Sequence, residues 1–123
     1  STSVKAERDD FMHPIVPANS ELQSILNYTV ASGDQSGEID LTWDTTGWTT
    51  GESPQVLVRK KTVGDTYETP WSVGALSGTP KMNAGAATVT GLTPGSDYAV
   101  CLLAKDALSN YSGGVVDHAV ALA

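Results

Sequence analysis

The segment Glu38-Ile39-Asp40-Leu41-Thr42-Trp43-Asp44 alternates without a break between apolar and polar side chains. A helix would scatter Ile39, Leu41 and Trp43 around its circumference, whereas a period of two places them on one face of a half-buried strand. The same logic predicts strands over Ile25–Ala31, Gln55–Lys61, Ala86–Thr90, Tyr98–Ala104 and Val115–Leu122. Tyr67–Val73 reads as a weaker strand carrying Trp71, and Pro70 demotes it to an edge. Thr45–Pro54 is rich in Thr, Gly and Ser and reads as a loop, and Gly64-Asp65 breaks the chain again. No segment of the last hundred residues supports a helix of more than about one turn. Seven short strands separated by turn signals predict an all-β sandwich.

Residues 1–24 differ from the rest. Ser1–Asp10 is charged and has no period, and Phe11-Met12-His13-Pro14-Ile15-Val16-Pro17 is an apolar patch in which two prolines exclude a regular helix. The expected organisation is an extended N-terminal arm over 1–24 and a domain over 25–123. No basic segment followed by an apolar core opens the chain, so no secretory signal is visible in this form.

Composition narrows the function classes. The 7 Lys+Arg against 14 Asp+Glu give a net charge of −7, which disfavours a nucleic-acid backbone as partner. The 40% of hydrophobic residues are too scattered for membrane insertion, which needs about 20 apolar residues in a row. The single cysteine, Cys101, excludes an internal disulfide, and no Cys/His spacing resembles a zinc site.

Three motifs in order point to a family. Thr88-Val89-Thr90-Gly91-Leu92-Thr93-Pro94-Gly95-Ser96-Asp97-Tyr98 resembles the E–F corner of fibronectin type III domains. Its physics is self-consistent: Leu92 plugs the bottom of the core, Pro94-Gly95 makes the turn, and Tyr98 returns its hydroxyl to the corner backbone. Trp43 matches the family's strand-B tryptophan, and Ala104–Ser112 is similar to the F–G segment of microbial members. The resemblance spans residues 25–123 and implies a fibronectin type III-like (immunoglobulin-like) seven-stranded β-sandwich with Trp43, Leu92 and Tyr98 in its core. It also implies a binding, spacer or structural module; the partner does not follow from the fold.

Candidate chemistry is sparse. No serine lies in a Gly-x-Ser-x-Gly context, and Cys101 near His118 reads as a small apolar strand residue. Asp34 with Glu38, and Asp106 with Asn110, supply only pairs where a calcium loop needs several converging oxygens. Alternation splits Arg59-Lys60-Lys61 between two faces. No catalytic residue, cofactor or metal is therefore expected. Trp48, in the polar stretch Thr45–Gly51, is placed either to stack on a sugar ring or anchor a partner, or to fold back over the open end of the sandwich. Trp71 is expected to pack.

Strand alternation yields the sharpest functional expectation. If Tyr98, Val100, Leu102 and Ala104 point inward, then Cys101 and Leu103 point outward, with Leu57 beside them on the neighbouring strand. An apolar stripe on an outer sheet face marks an interface or is covered by the chain itself. Phe11, Met12, Ile15 and Val16 of the arm are candidates for that cover, in the same subunit or a neighbour. The leading expectation is a structural or adhesion subunit that docks through arm and stripe, by self-association or onto an assembly. The assembly foreseen is a bacteriophage capsid or tail, with the protein located on the virion. The alternative is a carbohydrate-binding or spacer module of a secreted or cell-surface protein, with glycan contact through Trp48.

Overall fold

The computed structural model describes residues 23–62, 66–68 and 70–123. These residues form two antiparallel sheets. One contains β1 (Thr29–Ser32), β2 (Ile39–Thr42), β5 (Ala75–Leu76) and β6 (Ala86–Thr90), in the order β1-β2-β6-β5. The other contains β3 (Ser53–Lys60), β4 (Ser72–Val73), β7 (Asp97–Lys105) and β8 (Tyr111–Val120), in the order β4-β3-β7-β8. The helical content among the described residues is a 3-10 turn, Met82–Ala84.

The alternating faces meet in one core. Ile39 and Leu41 of β2, Val56 and Val58 of β3, Val89 of β6, and Tyr98, Val100, Leu102 and Ala104 of β7 are all buried in it, with Trp43 and Met82. Trp43 donates its indole N–H to the Met82 carbonyl at 2.8 Å, so its polar atom is satisfied inside the core. At the E–F corner the Thr93 amide donates to the Tyr98 hydroxyl at 2.8 Å, and Leu92 packs against the core. The corner is as foreseen.

Each expected strand has a counterpart, with shifted ends. The strand expected from Ile25 begins at Thr29 because Asn27 takes φ 56°, a left-handed conformation that interrupts an extended run. Ile25 is still buried in the core. β3 starts earlier than expected, and Pro54 lies inside it. β4 pairs with β3 at Leu57 and Val58, so Pro54 stands on a stretch without a second neighbour, where proline is tolerated. The expected edge strand shrinks to β4, after which the chain crosses at Gly74 into the other sheet as β5. A Cβ on Gly74 would lie 3.2–3.4 Å from methyls of Val89, Val56 and Val58, so the absent side chain allows the crossing. β8 begins at Tyr111 and takes in a bulge opposite Leu102/Leu103.

Of the expected arm, residues 1–22 lie outside the described residues. Its last two residues are described, and Gln23 is tied to the sandwich. Its side-chain amide donates to the Thr46 carbonyl, and its own carbonyl accepts from the Ser112 hydroxyl on β8.

Candidate docking face

β7 is buried along both faces, and the two faces are buried by different things. Its inward residues belong to the core cluster, whereas Ala99, Cys101 and Leu103 are buried without being part of it. The ladder registers explain their grouping. Val73 pairs with Leu57, Leu57 with Cys101, and Cys101 with Val116. One apolar row therefore crosses all four strands of the sheet on the side away from the core. One step along β7, Arg59 pairs with Ala99 and Ala99 with His118. One step the other way, Gln55 pairs with Leu103.

Exposure varies across this face. Cys101 is 0% and Leu103 3% exposed, and Leu57 is half-buried, whereas Val73 on the edge strand is 73% exposed. The stripe of Leu57, Cys101 and Leu103 thus lies together as alternation requires.

The Arg59 end carries groups that sequence reasoning did not bring together. Arg59 is 4% exposed, and its guanidinium carbon lies 4.6 Å from the Trp71 ring centroid. Nε and Nη1 of Arg59, Nε1 of Trp71 and Oε1 of Gln55 are all buried without a hydrogen-bond partner. Desolvating a guanidinium costs several kcal/mol, and a cation–π contact returns about 2 kcal/mol. The balance favours a further partner of opposite charge. Beside it the Tyr67 hydroxyl and His118 Nδ1 share a 2.7 Å hydrogen bond, with ring centroids 5.5 Å apart and a 54° tilt. Sequence alternation places Arg59 only within a basic run split between two faces. The missed signal was the outward parity it shares with Leu57.

Chemistry on this face is subdued. Burial pushes the Cys101 thiol up to about 12, so it stays protonated and is a poor nucleophile. Burial, followed by the nearby Cys101 and Asp117, raises the Tyr28 hydroxyl, which donates to the Val100 carbonyl at 2.9 Å. Among the described residues no cluster of three His, Cys, Asp or Glu side chains is placed to hold a metal.

The remaining candidates separate. Phe11, Met12, Ile15 and Val16 lie outside the described residues. Trp48 is 8% exposed and packs in the core, so the expected option of a free ring for sugar stacking is corrected. Its amide donates to the Thr45 carbonyl at 3.1 Å, a tight turn that folds the indole back over the open end of the sandwich. Asp106 closes its own loop, accepting from the amides of Leu108 at 2.8 Å and Asn110 at 2.9 Å and from the Asn110 side chain at 3.0 Å. The Asn110 backbone and side-chain bonds, with a smaller part from Leu108, hold its carboxyl below the usual range. It serves the loop.

Comparison with solved structures sets this arrangement in context. A fibronectin type III domain of human collagen XX superimposes with a TM-score of 0.55 at 16% identity, covering 85% of this chain and 97% of that one. A fibronectin type III domain of human contactin 1 gives 0.50 at 13%, covering 85% and 81%. The fold is that of a fibronectin type III domain. No family model matches the sequence, and no curated protein does either. Identities this low define architecture and leave the partner open.

Proposed function

We propose that this fibronectin type III-like chain is a non-catalytic structural or adhesion subunit that docks through the outer face of the β4-β3-β7-β8 sheet. The observation that carries the reading is the unbroken row Val73–Leu57–Cys101–Val116, flanked by a buried Arg59 with unpartnered nitrogens. A solvated sheet face ordinarily carries polar residues at such positions; here the row is apolar from the exposed Val73 to the buried Cys101, and apolar residues on an outer face mark a place for contact. The net charge of −7 keeps undocked copies apart.

The assembly proposed is the capsid or tail of a bacteriophage, with the protein as an accessory on the virion. The apolar run Phe11–Val16 that precedes the sandwich in the sequence supports this, together with the recurrence of such sandwiches on phage particles. Co-sedimentation with purified particles tests it. Val73→Glu, which places a charge on the exposed end of the row, is expected to reduce particle binding at least about tenfold, equivalent to about 1.4 kcal/mol. Binding equal to wild type in this variant and in a Leu57→Asp variant that remains folded would remove the face from the docking surface. Burial of Trp48 leaves the carbohydrate-binding reading without its main support.

A further inference from the structure

A half-open cavity of about 360 Å³ lies at the edge of the sandwich, where the chain crosses from β4 to β5. Its walls come from both sheets and from the E–F corner. Val58, Leu92 and Tyr98 supply its apolar surface, and Lys60 and Glu68 bring opposite charges to it. We infer that this cavity binds a small zwitterion of the amino-acid or short-peptide class, with its carboxylate on Lys60 and Tyr98 and its ammonium on Glu68. Docking by the outer face is a separate property of the molecule.

Three observations converge on this ligand class. The first is the cation. Val56, Val58 and Lys60 share one side of β3, and the two valines are buried in the core. Lys60 is therefore directed between the sheets, pairs across the ladder with Tyr98, and is half-buried. A charge turned inward is costly without a partner, yet Lys60 makes no ion pair or side-chain hydrogen bond among the described residues.

The second is an unspent donor. Tyr98 is 5% exposed. Its hydroxyl oxygen accepts from the Thr93 amide at 2.8 Å, and its own O–H has no acceptor among the described residues. A tyrosine hydroxyl both donates and accepts, and a buried donor favours an acceptor. Two donors without acceptors at one cavity call for an acceptor of negative charge, and a carboxylate answers both.

The third is Glu68. Its amide donates to the Lys60 carbonyl at 2.8 Å, which sets it beside Lys60 on the rim. Its side chain is exposed and makes no ion pair with Lys60 or any other described residue. A simple anion on Lys60 would be repelled by Glu68, whereas a zwitterion satisfies both charges. Small residues keep the space open: Gly74, Ala75 and Gly91 line the cavity, and a Cβ on Gly91 would meet nothing within 4 Å. Small-molecule sites occupy about 300–1,000 Å³, and this cavity falls in that range.

Leucine and leucyl-leucine, added to the full chain and followed through the amide shifts of Gly74, Gly91 and Thr93 in two-dimensional NMR, test the site. Saturable shifts with a Kd of about 1 mM or below are expected for at least one of them. The tighter of the two assigns the site to free amino acids or to peptides, and either result supports the inference. The amide and the N-acetyl form of the tighter ligand, each lacking one charge, are expected to bind at least about tenfold more weakly. Lys60→Met is expected to weaken binding of the unmodified ligand by a similar factor.

Shifts that rise linearly to about 50 mM without saturating would overturn the inference. So would blocked forms that bind as tightly as the parent, and so would a folded Lys60→Met chain with an unchanged Kd. If Lys60→Met fails to fold, the blocked ligands on the wild-type chain decide. None of these measurements needs a particle, so they stand or fail apart from docking by the outer face.

Discussion

The guanidinium carbon of Arg59, on β3, lies 4.6 Å from the ring centroid of Trp71, which precedes the neighbouring edge strand. The stack holds a cation inside the protein and joins a two-residue strand to the body of the sheet. Trp71→Ala is expected to lower stability by about 1–3 kcal/mol through the lost cation–π contact and packing. Arg59→Lys is expected to be destabilising as well, because an ammonium cannot stack as a planar guanidinium does. Urea unfolding followed by circular dichroism checks both; unchanged midpoints would show that the stack is incidental.

The E–F corner makes a second prediction. The Thr93 amide donates to the Tyr98 hydroxyl, and Tyr98 is buried. Tyr98→Phe removes the acceptor while preserving the ring, and is expected to cost about 1–2 kcal/mol by leaving a half-buried donor unpaired. A midpoint equal to wild type would mean that water replaces the hydroxyl at no cost.

Alkaline pH tests the burial of Cys101. Its thiol is pushed up from an ordinary 9.0 to about 12, so above about pH 9 the unfolded chain releases a proton that the folded chain keeps. The group's contribution is therefore complete below about pH 9 and is lost as pH rises towards 12. Tyr28, also raised, acts in the same direction beginning nearer pH 10. Cys101→Val removes the first of these and is expected to flatten the fall in urea midpoint between about pH 9 and 11. Parallel slopes for the two proteins would contradict the burial of the thiol.

The bulge in β8 separates two kinds of glycine. Gly113 has φ 112°, and a Cβ there would lie 2.5 Å from Ile25 Cδ1 and 2.9 Å from the Leu102 carbonyl oxygen. Gly78 has φ 69° and nothing within 4 Å of the corresponding position. Gly78→Ala should cost about 1 kcal/mol, the conformational penalty alone. Gly113→Ala should cost more than about 2 kcal/mol because backbone must also move. Thermal unfolding ranks the two, and equal losses would show that the bulge relaxes freely.

Much of this protein was legible from local pattern. Ile39, Leu41 and Trp43 fell on the inward face because side-chain direction in a strand is a matter of counting by two. The corner formed as expected because Leu92, Pro94, Gly95 and Tyr98 act within a few residues of one another. The outer stripe of Leu57, Cys101 and Leu103 followed from the same parity once the neighbouring strands were paired.

What alternation could not supply was contact between distant segments. Trp48 sits in a polar stretch, and only the turn of Thr45–Trp48 and the open end of the sandwich decided that its ring is buried. β4 and β5 are too short to carry a period, and the crossing at Gly74 depends on Val56, Val58 and Val89 approaching from two sheets. Which residues face in and which face out can be counted along each strand, since backbone geometry fixes it. That Arg59 lies under Trp71, and Tyr67 beside His118, on one outer face depends on long-range register, which no local pattern carries.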